Sequence, residues 1–405
     1  MPSKIRKRGE NSYALCVTAG YTSDGTQRIF RKTVHADNST QAKSLYKEFE
    51  LEVMQGHAVS SDVPKMTLEE FYKYWIINYV DKQNAISTKV YNDNLFIRIK
   101  AFMGTIRIDK LQPLHIMNFI NYLSQPDASV KGKPLSGRVI KGHYVLLKTM
   151  LNCAKKWQLI AKNPCDSVDS PKSSKPKKRT VDDETVAIFF DKLESETLKH
   201  RLWVMLAFGR GLRREEIFGL KWGDIDFDRE KISINRAVVY VHGSGIVEKS
   251  TKSDNSYRVL SLPPTLSKML INWRSESKAA VIRRNKRRKV VSIEDPVGKD
   301  SWVFQLHDGS VGRPHSFTTF LRRFCKKANI DSISPHMFRH MSGSYLLRAG
   351  VDIATISAEL GHGDKGFTMR TYIHEIESEK ERSTKEMETI LATISHKDVK
   401  NMQNK

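Results

Sequence analysis

The most informative stretch of the sequence is Pro335-His336-Met337-Phe338-Arg339-His340. The arginine follows the first histidine by three positions, a spacing that brings both side chains to one face of a helix. Such a pair is also typical of an ordinary helix surface. Its meaning therefore depends on what accompanies it elsewhere in the chain.

Four other short strings carry cationic or protic side chains. They are Gly211-Leu212-Arg213-Arg214-Glu215-Glu216, Thr251-Lys252-Ser253-Asp254-Asn255-Ser256-Tyr257-Arg258, Leu360-Gly361-His362 and Arg370-Thr371-Tyr372-Ile373-His374. Each has a structural explanation of its own: a helix N-terminus with a surface salt bridge, a solvated turn, a helix end, and a core tyrosine. Only the combination and its order point to a site.

In this order the strings resemble the tyrosine recombinase (phage integrase) family, as found in phages and conjugative transposons. That family carries an arginine in GLRxxE, a lysine in a β-hairpin, HxxR, LGH and then a tyrosine. The matching residues are Arg213, Lys252, His336, Arg339, His362 and Tyr372. Ser256 and Arg258 also fit the K-x-x-x-S-x-R habit of the family's hairpin.

The resemblance implies that Tyr372 attacks a DNA phosphodiester and forms a covalent 3′-phosphotyrosine link. His336 would accept the phenolic proton, and Lys252 would protonate the departing 5′ oxygen. His362 would donate a hydrogen bond to the phosphate. Glu216, three residues after Arg213, would orient that arginine or form only a surface salt bridge.

Arg213 and Arg339 are the predicted phosphate clamp, because a guanidinium holds two phosphate oxygens at once and stays charged. No cluster of carboxylates stands near the strings, so the clamp is expected to replace metal ions. The chain also lacks a GxxxxGK[ST] string for ATP. We therefore expect no cofactor.

The charge of the chain favours a polyanionic partner. Its 405 residues contain 68 Lys and Arg against 45 Asp and Glu, a net charge of +23. A basic membrane-surface protein is the main alternative, but no amphipathic or lipidated anchor is evident. Double-stranded DNA is the predicted partner. The resemblance adds self-association into a tetramer on DNA, and leaves room for an accessory excision or DNA-bending protein.

The patterns predict a multidomain chain, and the resemblance implies the role of each domain and of the tail. Residues 1–60 should form an arm-type DNA-binding domain, a small three-stranded β-sheet with a helix. Residues 64–168 should form an all-α core-binding (SAM-like) domain, and 169–180 a basic linker. Residues 181–382 should form a mixed α+β catalytic domain, mainly helical with a small antiparallel sheet. A tail helix over 383–405, with an apolar stripe, would dock on a neighbouring protomer or on its own domain.

Two groups of basic side chains are predicted to contact DNA outside the active site. The first belongs to the arm domain and the second to the linker, where it would follow phosphates without selecting sequence. They are Lys4, Arg6, Lys7, Arg8, Arg28, Arg31 and Lys32, and then Lys175, Lys177, Lys178 and Arg179. General basic solubility is the alternative explanation for the first group.

The four cysteines are far apart and match no metal-binding spacing, and neither a secretory signal nor a run of about 18 apolar residues occurs. This predicts a cytoplasmic protein, and the resemblance implies a bacterial one associated with the nucleoid. Three other functions compete with recombination: a type IB topoisomerase, an inactive DNA-binding repressor and a metal-dependent nuclease. The arm-like domain argues against a topoisomerase, and the complete set of catalytic residues argues against a repressor. The missing carboxylates argue against a metal-dependent nuclease.

Overall fold

A computed structural model describes residues 4–21, 25–55, 64–83, 85–129, 132–173, 181–241, 243–250, 257–288, 297–361, 366 and 368–369. The chain divides into two compact units, Met1–Lys178 and Arg179–Lys405. The first unit holds separate hydrophobic cores for its N-terminal sheet and for its helices. The second unit is built around one large core. Within the described residues, no helix is both long and apolar enough to cross a membrane.

The first unit begins with an antiparallel sheet in the order β1-β2-β3, followed by a helix. The elements are β1 (Ile5–Gly9), β2 (Ser12–Tyr21), β3 (Gln27–His35) and α1 (Ser39–Met54). Alternation along β2 turns Leu15 and Val17 inward, where they share a core with Phe49 of α1. The predicted three-stranded sheet with a helix is confirmed, and the basic N-terminal segment supplies its first strand.

Helices make up the rest of the first unit. They are α2 (Leu68–Trp75), α3 (Asp81–Gln83), α4 (Ile86–Met103), α5 (Pro113–Leu123) and α6 (Gly137–Lys156), with a π-helical turn at Ile76–Val80. A capping box begins α2: Glu70 N donates to Thr67 Oγ1 at 3.2 Å, and Thr67 N donates to Glu70 Oε2 at 2.8 Å. The described part of residues 64–173 contains no β-strand beyond one isolated bridge.

The second unit is mainly helical and carries two small antiparallel sheets, β4-β5-β8 and β6-β7. Its elements are α7 (Asp183–Leu193), α8 (Leu198–Gly209), α9 (Arg214–Phe218), β4 (Ile225–Asp226), β5 (Lys231–Ile234), β6 (Arg236–Val241), β7 (Gly245–Ser250), β8 (Arg258–Ser261), α10 (Pro264–Arg288), α11 (His315–Ala328), α12 (Pro335–Arg348) and α13 (Ile353–Leu360). The mixed α+β class predicted for this part of the chain is confirmed.

The strands on either side of Lys252 belong to different sheets. β7 pairs with β6 over six residues, and β8 pairs with β5. The flanking strands therefore do not form the simple hairpin that the resemblance implies. The stretch 230–240 is likewise divided between β5 and β6, because Asn235 leaves the strand and donates its amide to Asp224 at 2.6 Å.

Helix α10 was not predicted from the sequence. Its buried stripe contains Leu266, Leu270 and Val281 but also Ser267 and Ser277, so the apolar period is interrupted. The last residues of this helix, up to Arg288, belong to the basic run 283–289.

Candidate active site

Helix α12 carries the HxxR string and is fixed at its start and along its buried face. Ser334 caps it by accepting from Met337 N at 3.4 Å, and Pro335 occupies the first turn, where a missing N–H removes no bond. Phe338 is fully buried with its ring 5.1 Å from that of Phe189. This packing sets the rotation of the helix, leaving His336 exposed and turning Arg339 inward.

Arg339 connects two of the other strings. Its residue is only 1% exposed, and its guanidinium donates to the backbone oxygens of Gly211, at 2.5 Å, and of Leu360. Gly211 has φ +60, and a Cβ there would lie 2.3 Å from the Leu360 side chain. Only glycine permits this approach. The glycine of GLRxxE therefore brings the string against the end of α13.

Arg213 meets the same helix end from the other side. Its Nη1 donates to Glu216 Oε1 at 2.7 Å, and its Nη2 donates to the carbonyl of Gly361 at 3.0 Å. Glu216 Oε2 accepts from Arg213 N at 2.9 Å. The Arg213 side chain is 35% exposed but that of Glu216 only 4%, so the pair is no ordinary surface salt bridge. Glu216 holds both the backbone and the side chain of Arg213.

A second arginine shares the Glu216 carboxylate. Arg258, at the start of β8, donates to both carboxylate oxygens, at 3.2 and 2.8 Å. Burial by itself would raise the pKa of Glu216. The hydrogen bond and charge of Arg258, with the charge of Arg213, outweigh it and lower that pKa to about 2. The sequence alone assigns Arg258 no role at this site, although the residue belongs to the hairpin pattern.

His336 lies close enough to both clamp arginines for their charges to affect its pKa. Loss of hydration beside the surrounding protein lowers the pKa of His336 most. The charges of Arg339 and Arg213 lower it further, and the charge of Glu215 partly opposes them. The lowered pKa favours the neutral imidazole, the form that can accept a proton. Its ring lies 4.5 Å from the ring of His340.

Several predicted site residues lie outside the described residues. They are Lys252, His362, Tyr372 and the linker group Lys175, Lys177, Lys178 and Arg179; the predicted tail helix over 383–405 also falls there. Of the candidates that are described, Arg213, His336 and Arg339 come together. One of the backbone carbonyls that meets them belongs to Gly361, the residue before His362.

The arm residues separate onto two faces of the N-terminal sheet. Arg6 pairs with Ala14 and Arg31 with Cys16, on the face opposite the buried Leu15 and Val17. In contrast, Lys32 forms a 2.9 Å ion pair with Glu52 of α1. Arg28 donates to Gln158 at 2.6 Å. Lys4, Lys7 and Arg8 are exposed.

No group of three His, Cys, Asp or Glu side chains suited to a metal ion occurs in the part of the chain that the structure describes. The groups that the site does offer are guanidinium donors, a neutral imidazole and one buried carboxylate. Such a set can hold and polarise an anionic phosphate ester and accept a proton from an attacking hydroxyl.

Comparison with known proteins agrees with this chemistry. A tyrosine recombinase XerC-like protein of Caldanaerobacter subterraneus is 26% identical over 391 residues, covering 92% of this chain and 95% of that protein. The Tn1549 transposon integrase, solved with a circular intermediate DNA, aligns with a TM-score of 0.62 at 20% identity, over 78% of this chain and 99% of that one. A lambda integrase tetramer bound to a Holliday junction aligns with a TM-score of 0.52 at 15% identity, over 91% and 95%.

Two family models match consecutive parts of the chain. The phage integrase SAM-like domain matches residues 67–170, and the phage integrase family matches residues 179–379. The second range contains all five strings, and the first covers the helical part of the first unit. The chain belongs to the phage integrase family of tyrosine recombinases.

Proposed function

We propose that this protein is a site-specific DNA recombinase of a mobile genetic element, which cuts and rejoins DNA through a 3′-phosphotyrosine at Tyr372. One observation carries the proposal. Arg213 and Arg339, from strings more than a hundred residues apart, donate to the consecutive carbonyls of Gly361 and Leu360. His336 lies within the field of both guanidinium groups. Such an arrangement suits an anionic phosphate and a nearby attacking oxygen.

The chemistry needs only side chains of this protein. A phenol has a pKa of about 10, so His336 accepts the proton of Tyr372 as the phenolic oxygen bonds to phosphorus. The bond from phosphorus to the 5′ oxygen breaks, and Lys252 donates the proton that this oxygen takes up. Arg213, Arg339 and His362 hold the non-bridging oxygens. Because the phosphoester is kept, a second 5′-hydroxyl can reverse the step on another strand without ATP.

The related structures support DNA as the partner and a tetramer as the working assembly, since one is bound to a circular intermediate and another is a tetramer on a junction. We assign arm-site binding to residues 1–60, core-site binding to 64–168, phosphate contacts to the linker 169–180, catalysis to 181–382 and protomer contact to the tail, 383–405. An enzyme acting on a bacterial element would work in the cytoplasm, at the nucleoid.

Covalent trapping in EDTA tests this function. Full-length protein is incubated with a nicked duplex of the element's joined ends, denatured, and examined for a protein–DNA adduct. We expect the adduct to form as fast in EDTA as in Mg²⁺, because fixed guanidinium groups stabilise the phosphate. An adduct that needs Mg²⁺ would contradict the arginine clamp. No adduct on bound DNA would contradict the recombinase assignment.

The N-terminal sheet offers a second prediction. Arg31→Ala should weaken binding to arm-site DNA by about tenfold and reduce the salt dependence, because Arg31 stands on the face not covered by α1. The matched control is Lys32→Ala on the next residue. We expect it to change binding less than about twofold, since Lys32 is held by Glu52. Equal losses in the two variants, measured by gel shift, would exclude this face as the DNA surface.

A further inference from the structure

Helix α13 ends against three arginines. Arg258 Nε donates to the carbonyl of Glu359 at 2.7 Å, Arg339 donates to that of Leu360, and Arg213 to that of Gly361. The last carbonyls of a helix have no partner within the helix and form its negative end, so guanidinium groups are favoured there. Arg213 and Arg339 already have assignments in the proposed reaction. Arg258 has none.

The hydrogen bonds of Arg258 separate it from the substrate, because its Nε donates to Glu359 and both of its terminal nitrogens donate to Glu216. Its side chain is 6% exposed against 35% for Arg213, and it faces the Glu216 carboxylate, which is itself 4% exposed. A guanidinium whose three nitrogens all donate to protein groups acts on the reaction through its neighbours. Arg258 contacts the Glu216 carboxylate and the end of α13. The same two groups also hold Arg213.

The local charges define what Arg258 does there. Two neighbouring acids are paired elsewhere: Glu215 with Arg214 at 2.6 Å, and Glu359 with Arg210 at 3.1 Å. Glu216 remains, facing both Arg213 and Arg258. Without Arg258, the whole charge of Glu216 would fall on Arg213. An arginine neutralised in this way gives less stabilisation to a phosphate that gathers negative charge.

We propose that Arg258 is a positioning residue that balances the charge of Glu216, so that the positive charge of Arg213 remains available to the scissile phosphate. The inference rests on the proposed function. It adds a requirement that phosphate contact alone does not impose: the group formed by Arg213, Arg258 and Glu216 needs one more positive than negative charge. Removing Arg258 abolishes that excess, and removing the charge of Glu216 as well restores it.

The test compares two substrates and three variants of the full-length protein. One duplex carries the normal phosphodiester at the scissile position mapped with the wild type, and the other carries an uncharged methylphosphonate there. Arg258→Met should slow adduct formation about 100-fold on the phosphodiester but less than about tenfold on the methylphosphonate, which needs little cationic stabilisation. The double variant R258M/E216Q should recover most of the phosphodiester rate.

Arg236→Met is the matched control for loss of a buried ion pair. Arg236 also donates to a carboxylate, that of Asp224 at 2.5 Å, and to a carbonyl, that of Gly219 at 3.2 Å. It should lower Tm as Arg258→Met does, yet leave the ratio of the two substrate rates as in wild type. If Arg258→Met does not fold, the double variant, which buries no unpaired charge, still reports this ratio.

The outcomes separate the two proposals. Equal losses on both substrates, or a double variant that does not recover the phosphodiester rate, would show that Arg258 acts only by holding the fold. A wild type that forms no adduct at all would instead overturn the recombinase assignment, and the role of Arg258 with it.

Discussion

Replacing Tyr372 by phenylalanine should eliminate the covalent adduct while leaving DNA binding nearly unchanged. The substitution removes one oxygen atom, the proposed nucleophile, and keeps the ring. Loss of a covalent nucleophile costs on the order of 10⁶-fold in rate, which puts cleavage below detection. Adduct formation on denaturing gels and affinity by gel shift measure the two properties separately.

Tyr345→Phe is the control for this substitution. Tyr345 lies in α12, and its hydroxyl donates to Asp183 at 2.7 Å. Its replacement also removes a single phenolic oxygen from the same unit, and cleavage should persist. Residual adduct in Tyr372→Phe would mean that another group attacks the phosphate. Loss of DNA binding as well would show that Tyr372 serves the interface rather than the reaction.

The secondary structure of this chain could largely be predicted because its periods are local. The alternation of Tyr13, Leu15 and Val17 marks β2, and the Thr67–Glu70 capping box marks the start of α2. Helix α10 could not be predicted, because serines occupy two positions of its buried stripe. Its pattern therefore resembles that of a polar segment, although the tertiary packing makes it a helix.

The active site was predictable only as a set of residues. Nothing local in the sequence indicates that Arg339 meets Gly211, since 128 positions separate them; only the family resemblance places them in one site. The contacts themselves leave no sequence signal, because the acceptors are backbone carbonyls that every residue possesses. Arg258 was overlooked for the same reason. Its role depends on the burial of Glu216, which a GLRxxE string does not report.

The arrangement of charge explains why one acid is tolerated in a phosphate-binding site. Glu216 would repel a phosphate, because its pKa of about 2 keeps it ionised throughout the physiological range. Its negative charge orients Arg213, and the paired arginines outnumber it. Below the ordinary carboxyl pKa, near 4.5, the stability contributed by this ion pair is progressively lost as pH falls towards 2.

Arg213→Lys should slow cleavage by about 100- to 1,000-fold although it keeps the positive charge. The guanidinium of Arg213 spans Glu216 and the Gly361 carbonyl at once and is 35% exposed, so it can also present N–H groups to a phosphate. The lysine side chain has a single nitrogen, which cannot bind Glu216, the Gly361 carbonyl and the phosphate together in a fixed geometry. Loss of one such donor typically costs this much in rate.

Arg214→Lys is the matched control at the adjacent position. Arg214 is 32% exposed and is held by Glu215 and by Thr318 at 2.8 Å, away from the end of α13. Because it shares neither Glu216 nor the Gly361 carbonyl, its replacement should change the cleavage rate only a few-fold. Single-turnover adduct formation at saturating protein measures both variants. Similar losses in the two would mean that the string contributes general positive charge, whereas a selective loss at Arg213 would place the phosphate contact on the arginine that Glu216 orients.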